Sequence, residues 1–258
     1  MLFLVDSHCH FNLLDDNVDA VVKRAQAAGV HYFLNVSVSL SGFQDVLATA
    51  QAYPFVGASV GLHPNDQKEE VDVETLIQLA QPDKVIAIGE TGLDYFRCTG
   101  DMNWQKERFR THIQAAKTVQ KPLIVHTRAA KDDTMQLMQT EGADQVGGVM
   151  HCFTEDWAAA KQALDMNFYI SLSGIVTFKN ATTIQDVAKH VPLDRLLIET
   201  DSPYLAPNPF RGKPNEPAYV RHTAEYLAEL RQLPLEEFAA QTTQNFFNLF
   251  KGAIRPHV

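Results

Sequence analysis

Two histidines one residue apart close the opening stretch of the chain, Val5-Asp6-Ser7-His8-Cys9-His10. Successive side chains of a strand point to opposite faces, so His8 and His10 share a face and Cys9 points away. Two imidazoles at a strand end can hold a metal ion. A motif this short also recurs by chance among ordinary surface and core histidines, so its meaning depends on what the rest of the chain supplies. His63 follows an apolar run over 55–60, Glu90 ends one over 85–90, and His126 ends one over 122–126. His151 ends a run over 147–151, and Glu199 and Asp201 end one over 195–201. The other histidines, His31, His112, His190, His222 and His257, fall in helices or loops and are expected to be surface or structural residues.

Burying these histidines and acids together without a cation is costly, because like charges and unpaired polar groups are penalised. Ligands drawn from so many strands do not fit one four-coordinate structural site. They are expected to hold two metals with open positions, bridged by a carboxylate. Glu90, central in chain order, is the natural bridge. Mixed imidazole and carboxylate ligands suit Zn, Mn, Fe or Ni, and with waters Mg.

The elements that must position these residues alternate. Strands are expected at the N-terminus and over 32–36, 55–60, 85–90, 122–126, 147–151, 168–173 and 195–201. Helices are expected over 18–28, from Ser41-Gly42 to 53, and over 73–80, 103–119, 131–141, 157–165, 183–190, 216–232 and 235–250. Short, almost continuously apolar strands separated by helices mean parallel strands covered on their outer side. Eight such units in 258 residues predict a single α/β domain over 1–258, a (β/α)8 TIM-like barrel, with an open doubly wound sheet as the rival. In a barrel all the strand ends named above open on one face. The longest loop, 202–217, has four internal prolines and is expected to act as a lid or binding loop.

Composition narrows the partners. The formal net charge of −9 is not the footprint of a protein that wraps long nucleic acid, though it leaves room for one gripped locally with metal cations. No apolar run approaches the ~20 residues that span a bilayer. No basic segment precedes an apolar one at the N-terminus, and three cysteines without a C-x-x-C fit a reducing compartment, so a cytoplasmic location is expected. Cys9 and Cys152 each follow or precede a histidine of the set and are expected to be small buried thiols pointing away from it.

Six motifs in order, Asp6-Ser7-His8-Cys9-His10, Val60-Gly61-Leu62-His63-Pro64, Ile88-Gly89-Glu90-Thr91-Gly92-Leu93-Asp94-Tyr95, Val125-His126-Thr127-Arg128, His151-Cys152-Phe153-Thr154 and Leu197-Ile198-Glu199-Thr200-Asp201-Ser202-Pro203-Tyr204, span nearly the whole chain. Together they resemble the TatD family of metal-dependent hydrolases in the amidohydrolase superfamily, in its YcfH-like branch. The resemblance implies a TIM-like barrel, two divalent metal ions (Mg, Mn or Zn) and, as in several members, deoxyribonuclease activity of the 3′-to-5′ exonuclease type. Carried over, His8, His10 and Asp201 hold one metal, His126 and His151 the other, and Glu90 is shared. The superfamily's carbamylated-lysine bridge has no counterpart, since no lysine stands at that strand end.

On this reading the metals activate a water for in-line attack at phosphorus, with Asp201 as base. Glu199 and Asp6, the latter on the face of His8, are expected to orient neighbouring groups. His63 and Arg128 are expected to bind phosphate oxygens of DNA, single-stranded or at a 3′ end. Tyr95, Phe153 and Tyr204 are positioned to stack on bases, with plain packing as the alternative for each. Arg211 and Lys213 add local positive charge in the long loop. The competing functions are a C–N or ester hydrolase of small molecules using the same site and a non-catalytic metal protein.

Overall fold

A computed structural model describes residues 2–256; His257, expected to be a surface or structural residue, lies outside the described residues. Strands β1 (Leu4–Cys9), β2 (Val30–Asn35), β3 (Val56–Val60), β4 (Val85–Asp94), β5 (Leu123–Arg128), β6 (Gly148–Met150), β7 (Phe168–Leu172) and β8 (Leu196–Ile198) alternate with helices. The helices are α1 (Val18–Ala27), α2 (Phe43–Ala52), α3 (Val73–Leu79), α4 (Asn103–Val119), α5 (Lys131–Thr140), α6 (Trp157–Asp165) and α7 (Thr182–His190), with α8 (Val220–Leu230) and α9 (Leu235–Leu249) closing the chain. Side-chain caps start several of them: Asn17, Asp72 and Asp156 each accept a hydrogen bond from a backbone N–H in the first turn.

The sheet runs β1 to β8 in sequence order, every pair parallel. It closes just beyond β8, where Cys9 and Ser202 form a parallel bridge. Asp201 N–H donates to the His8 carbonyl at 2.9 Å, and His10 N–H donates to the Ser202 carbonyl at 3.0 Å. This ring is the expected barrel, not an open sheet.

Two apolar layers hold it. The outer layer packs strand residues such as Leu4, Phe33, Ile88 and Leu123 against the helices. The inner layer joins Val5, Tyr32, Leu34, Ile86, Ile124, Val149 and Leu197 to Phe246 and Phe250 of the α9 region. Most of these inner residues sit in the first half of their strands, and the two phenylalanines fill the end of the barrel opposite the histidines.

The pleat is interrupted in two places that matter. On β1, Asp6 pairs with Phe33 and Cys9 with Asn35, three residues against two. On β4, Ile88 pairs with Leu123 and Thr91 with Val125, again three against two. Such bulges re-aim side chains and are common beside active sites. The β1 bulge overturns one expectation. Asp6 faces the outer layer with Phe33, not the face of His8, and binds Thr200 through its backbone N–H (2.9 Å) and hydroxyl (2.6 Å).

β4 also runs on past the expected end at Glu90. At Gly92, a Cβ would lie 2.0 Å from the His126 carbonyl oxygen and φ is +135°, so only glycine lets β4 pass this close to β5. β8 is shorter than expected: it ends at Ile198, and Glu199 and Asp201 sit on the irregular segment after it.

Candidate metal centre

The strand-end residues converge at one mouth. On the β1/β8 side, His8 Nε2 and His10 Nε2 are 3.2 Å apart. Both face Asp201 Oδ1, at 3.7 Å and 3.4 Å. The Val36 carbonyl lies 2.8 Å from His10 Nδ1. A carbonyl only accepts, so the ring proton sits on Nδ1 and the Nε2 lone pair points inward, as a ligand requires.

On the other side, Glu90 Oε1 lies 2.8 Å from His151 Nε2, 3.0 Å from His126 Nδ1 and 3.2 Å from His63 Nε2. Its second oxygen, Oε2, is 3.3 Å from His8 Nε2. Glu90 thus spans the two groups. Asp94 Oδ2 lies 3.3 Å from His126 Nε2, and Glu199 Oε1 lies 3.3 Å from His151 Nδ1. Each carboxylate takes the outer ring proton and turns a lone pair toward the centre. Glu199 also accepts from the Cys152 N–H at 2.7 Å.

His63 is different, although its Nε2 lies close enough to group with Glu90 and His126. The Asn65 N–H donates to His63 Nδ1 at 3.0 Å. A neutral ring then carries its proton on Nε2, aimed at Glu90. His63 is built to donate a hydrogen bond, to Glu90 or to a bound oxygen, and not to coordinate a cation.

The charges reinforce one another. Burial alone would lift the Glu90 carboxyl. The imidazoles of His151 and His63 and hydrogen bonds from His126 and His151 overcome it and hold the acid well below its ordinary value. Burial opposes protonation of His151, yet Glu90 and Glu199 lift it well above its usual range. Burial and the neighbouring His151 push His8 down. Asp201 is held low against its own burial by His10 and His8. Asp6 is the contrast: burial lifts it to about 8 despite its Thr200 bonds. The donor atoms fall into three groups, His8 with His151 and Glu199, His8 with His10 and Asp201, and His63 with Glu90 and His126, each within 4.8 Å, and imidazole and carboxylate sets of this kind fit divalent cations.

This cluster floors a cavity of about 800 Å³, whose walls include Arg97, Arg128, Cys152, Tyr204 and Leu205. Arg128, expected at phosphate, does line it. Its guanidinium lies 3.9 Å over the Phe96 ring, and no carboxylate pairs with it among the described residues. Tyr204 lines it as well. Tyr95 does not: β4 alternation turns Asp94 in and Tyr95 out, where its hydroxyl donates to Asp133 at 2.7 Å in a separate shallow depression. Phe153 is buried in the outer core. Arg211 and Lys213 lie over Phe178 and Phe210, away from the cavity lining. Cys9 is a buried thiol as expected. Cys152 is not turned away: it lines the cavity, because β6 ends at Met150 and Cys152 (φ 42°) no longer follows strand alternation.

Sequence reasoning missed the scaffold behind the β3–β5 side. Gln105, Arg108 and His112 recur at three and four residues on one face of α4, and all are buried. Gln105 donates to the Pro64 and Asp94 carbonyls and accepts from the Asp94 N–H. Arg108 donates to the carbonyls of His63 (3.1 Å), Asp66 and Glu69. His112 Nε2 accepts from the Leu62 N–H at 3.0 Å while its Nδ1–H donates to the Arg108 carbonyl. The available signal was polar residues at helical spacing inside an amphipathic helix. Asp94 was legible too, four residues past Glu90 on the same extended run.

An eight-stranded parallel barrel with imidazole and carboxylate donors at the C-terminal mouth is the architecture of a metal-dependent hydrolase. The chain belongs to the TatD family: residues 5–251 match the family model described as TatD related DNase. It is 48% identical over 254 residues to the Escherichia coli (strain K12) metal-dependent hydrolase YcfH, covering 96% of each chain. It is 43% identical over 252 residues to the metal-dependent hydrolase YabD of Bacillus subtilis, covering 96% of this chain and 99% of the other. The crystal structure of YjjV, a TatD homologue from E. coli K12, superposes with a TM-score of 0.88 at 30% identity, covering 96% and 98% of the two chains. No helix among the described residues is long and apolar enough to cross a membrane.

Proposed function

We propose that the protein is a phosphodiesterase acting on DNA, of the 3′-to-5′ exonuclease type, with two divalent ions in its centre. His8, His10 and Asp201 would hold one ion, His126 and His151 the other, and Glu90 both. The observation that carries this reading is Glu90, whose two oxygens face the two groups of donors beneath a cavity walled by Arg97 and Arg128. The family description as a DNase supports the choice of substrate. When bound, such ions polarise the scissile ester and make a water molecule easier to deprotonate. Asp201, held ionised beside His10, is the base that accepts the water's proton. Glu199 and Asp94 fix the His151 and His126 rings. His63 Nε2–H and the Arg128 guanidinium donate to phosphate oxygens, the latter in two-pronged fashion. Three free cysteines fit a reducing, cytoplasmic setting.

The test is release of mononucleotides from a single-stranded oligonucleotide with added Mg or Mn, abolished by Glu90→Ala. Release no greater than that variant's background overturns the nuclease reading. A second reading, a C–N or ester hydrolase of small molecules, is favoured by the net charge of −9. A panel of amide and ester substrates with matched metals separates the two.

A further inference from the structure

Among the described residues, four buried side-chain polar atoms have no hydrogen-bond partner, and two of them belong to one donor group. They are His8 Nδ1 and Glu199 Oε2, both on side chains with 0% exposure. His151 completes the group, and one donor atom from each of the three lies within 4.8 Å of the others. Proteins rarely leave a buried donor or acceptor unmade, so each such atom calls for a specific reason.

The rings supply it. His8 and His151 stack face to face, with centroids 3.9 Å apart and planes 14° from parallel. Both turn Nε2 to Glu90, at 3.3 Å and 2.8 Å. The opposite edge of His151 meets Glu199, whose Oε1 lies 3.3 Å from Nδ1 and accepts from the Cys152 N–H at 2.7 Å. Oε1 is thus engaged, and Oε2 is left over close to the stacked His8 ring. His8 Nε2 has three polar neighbours, Glu90 Oε2, Asp201 Oδ1 at 3.7 Å and His10 Nε2 at 3.2 Å. Ionised carboxylates only accept, and His10 Nε2 offers a lone pair because its proton sits on Nδ1. His8 Nε2 therefore carries the ring proton in this arrangement. Holding an ion through Nε2 requires the lone pair there, and the proton then belongs on Nδ1. An Nδ1–H needs an acceptor, and Glu199 Oε2 is an acceptor without a donor.

We propose that Glu199 anchors both halves of the centre, Oε1 holding His151 and Oε2 receiving the Nδ1–H of His8, directly or through one water. The anchor rests on the two-ion reading and adds a positioning residue shared by both ions. The group of His8, His151 and Glu199 is then not a third ion site, since a neutral imidazole has one lone pair and His8 spends it at Nε2. In Glu199→Gln the amide oxygen still accepts from the Cys152 N–H and His151, which turns the NH2 toward His8 Nδ1. That NH2 donates, so it keeps the His8 proton on Nε2. The damage falls on the ion of His8, His10 and Asp201, although the hydrogen bonds of Glu199 reach only His151 and Cys152.

The test uses full-length protein carrying histidine labelled with nitrogen-15, stripped by a chelator and titrated with Zn. His8→Gln assigns the His8 ring signals by NMR. In wild-type protein His8 should change from the Nε2–H to the Nδ1–H form as ions load. Calorimetry of the same titration should resolve two binding steps, with His10→Gln and His126→Gln marking which half each belongs to. Glu199→Gln should weaken the His10-dependent step about 10–100-fold and leave His8 in the Nε2–H form. Asp94→Asn should weaken the His126-dependent step instead. His8 remaining Nε2–H in loaded wild-type protein overturns the anchor, as does a Glu199→Gln loss confined to the His126-dependent step, or a third ion that this variant abolishes. The ring signal is read on wild-type protein and decides even if Glu199→Gln fails to fold. Uptake of a single ion removes the two-ion reading, and the His8 signal then keeps the anchor as Nδ1–H or overturns it as Nε2–H.

Discussion

The two walls of the metal centre are built by different means. The β1/β8 wall carries His8, His10 and Asp201 and is held chiefly by main chain, with the Asp6 carboxylate bound to Thr200 behind it. Asp201 N–H to the His8 carbonyl and His10 N–H to the Ser202 carbonyl set the three residues relative to one another through the barrel's own closing bonds. The β3–β5 wall carries His63, Glu90 and His126 and is held by side chains. Asp94 orients His126, and Gln105, Arg108 and His112 of α4 hold the loop after β3. Among the imidazoles burial follows the same division: the His8 and His10 side chains are 0% and 3% exposed, against 20% for His63 and 17% for His126, while the carboxylates reverse it, Asp201 at 14% and Glu90 at 3%. A wall made of backbone bonds resists point substitution, whereas one made of side chains can be dismantled residue by residue. Tuning of the site should therefore concentrate on the β3–β5 side.

The largest effect is expected where the walls meet. Glu90→Gln should reduce hydrolysis to background and lower bound divalent metal, read by assay and by elemental analysis of the purified protein. Retained metal and activity would show that the walls work without their shared carboxylate.

Next comes the pH response of the α4 scaffold. Burial, against only one helping bond from the Arg108 carbonyl, lowers His112 from its ordinary 6.5 to about 4. As pH falls, the unfolded chain takes up this proton first. The stability contribution is therefore complete above about pH 6.5 and is lost progressively down to about pH 4, about 3 kcal/mol in all. Denaturant titrations from pH 7 to 4 should show that loss. His112→Phe should flatten this component while costing about 1–3 kcal/mol at pH 7, because the Leu62 N–H loses its acceptor.

Asp94→Asn should lower metal affinity or activity about 10–100-fold, the usual cost of removing a carboxylate behind a ligating histidine. The measurement is a metal titration followed by activity. The smallest effect belongs to the other wall. Ser202→Ala removes only a hydroxyl that hydrogen-bonds the Thr200 hydroxyl, leaving the Ser202 carbonyl to His10, and should cost about 1 kcal/mol or less with near-normal activity. If Ser202→Ala proves as damaging as Asp94→Asn, the division between walls fails.

Much of this was readable from residue order. Placing His8, His10, Glu90, His126, His151 and Asp201 at the ends of parallel strands puts them at one mouth, because barrel topology leaves no other arrangement. Period-two reasoning broke down where the pleat did. It assigned Asp6 to the face of His8, but the β1 bulge turned Asp6 outward to Thr200. It ended β4 at Glu90, whereas continued pairing with β5 makes Asp94 the partner of His126 and swings Tyr95 outward. It turned Cys152 away, but the strand had already ended. The α4 scaffold was hidden for another reason. Gln105 and Arg108 look like solvent-facing residues until the loop whose carbonyls they satisfy is known, and that pairing is tertiary.

Phe246 and Phe250 fill the lower end of the barrel beneath the metal centre. The chamber is consequently a cul-de-sac. Whatever enters by the rim leaves by the rim, and nothing can thread through the barrel. Traffic through a single doorway makes departure of the product a precondition for the next turnover.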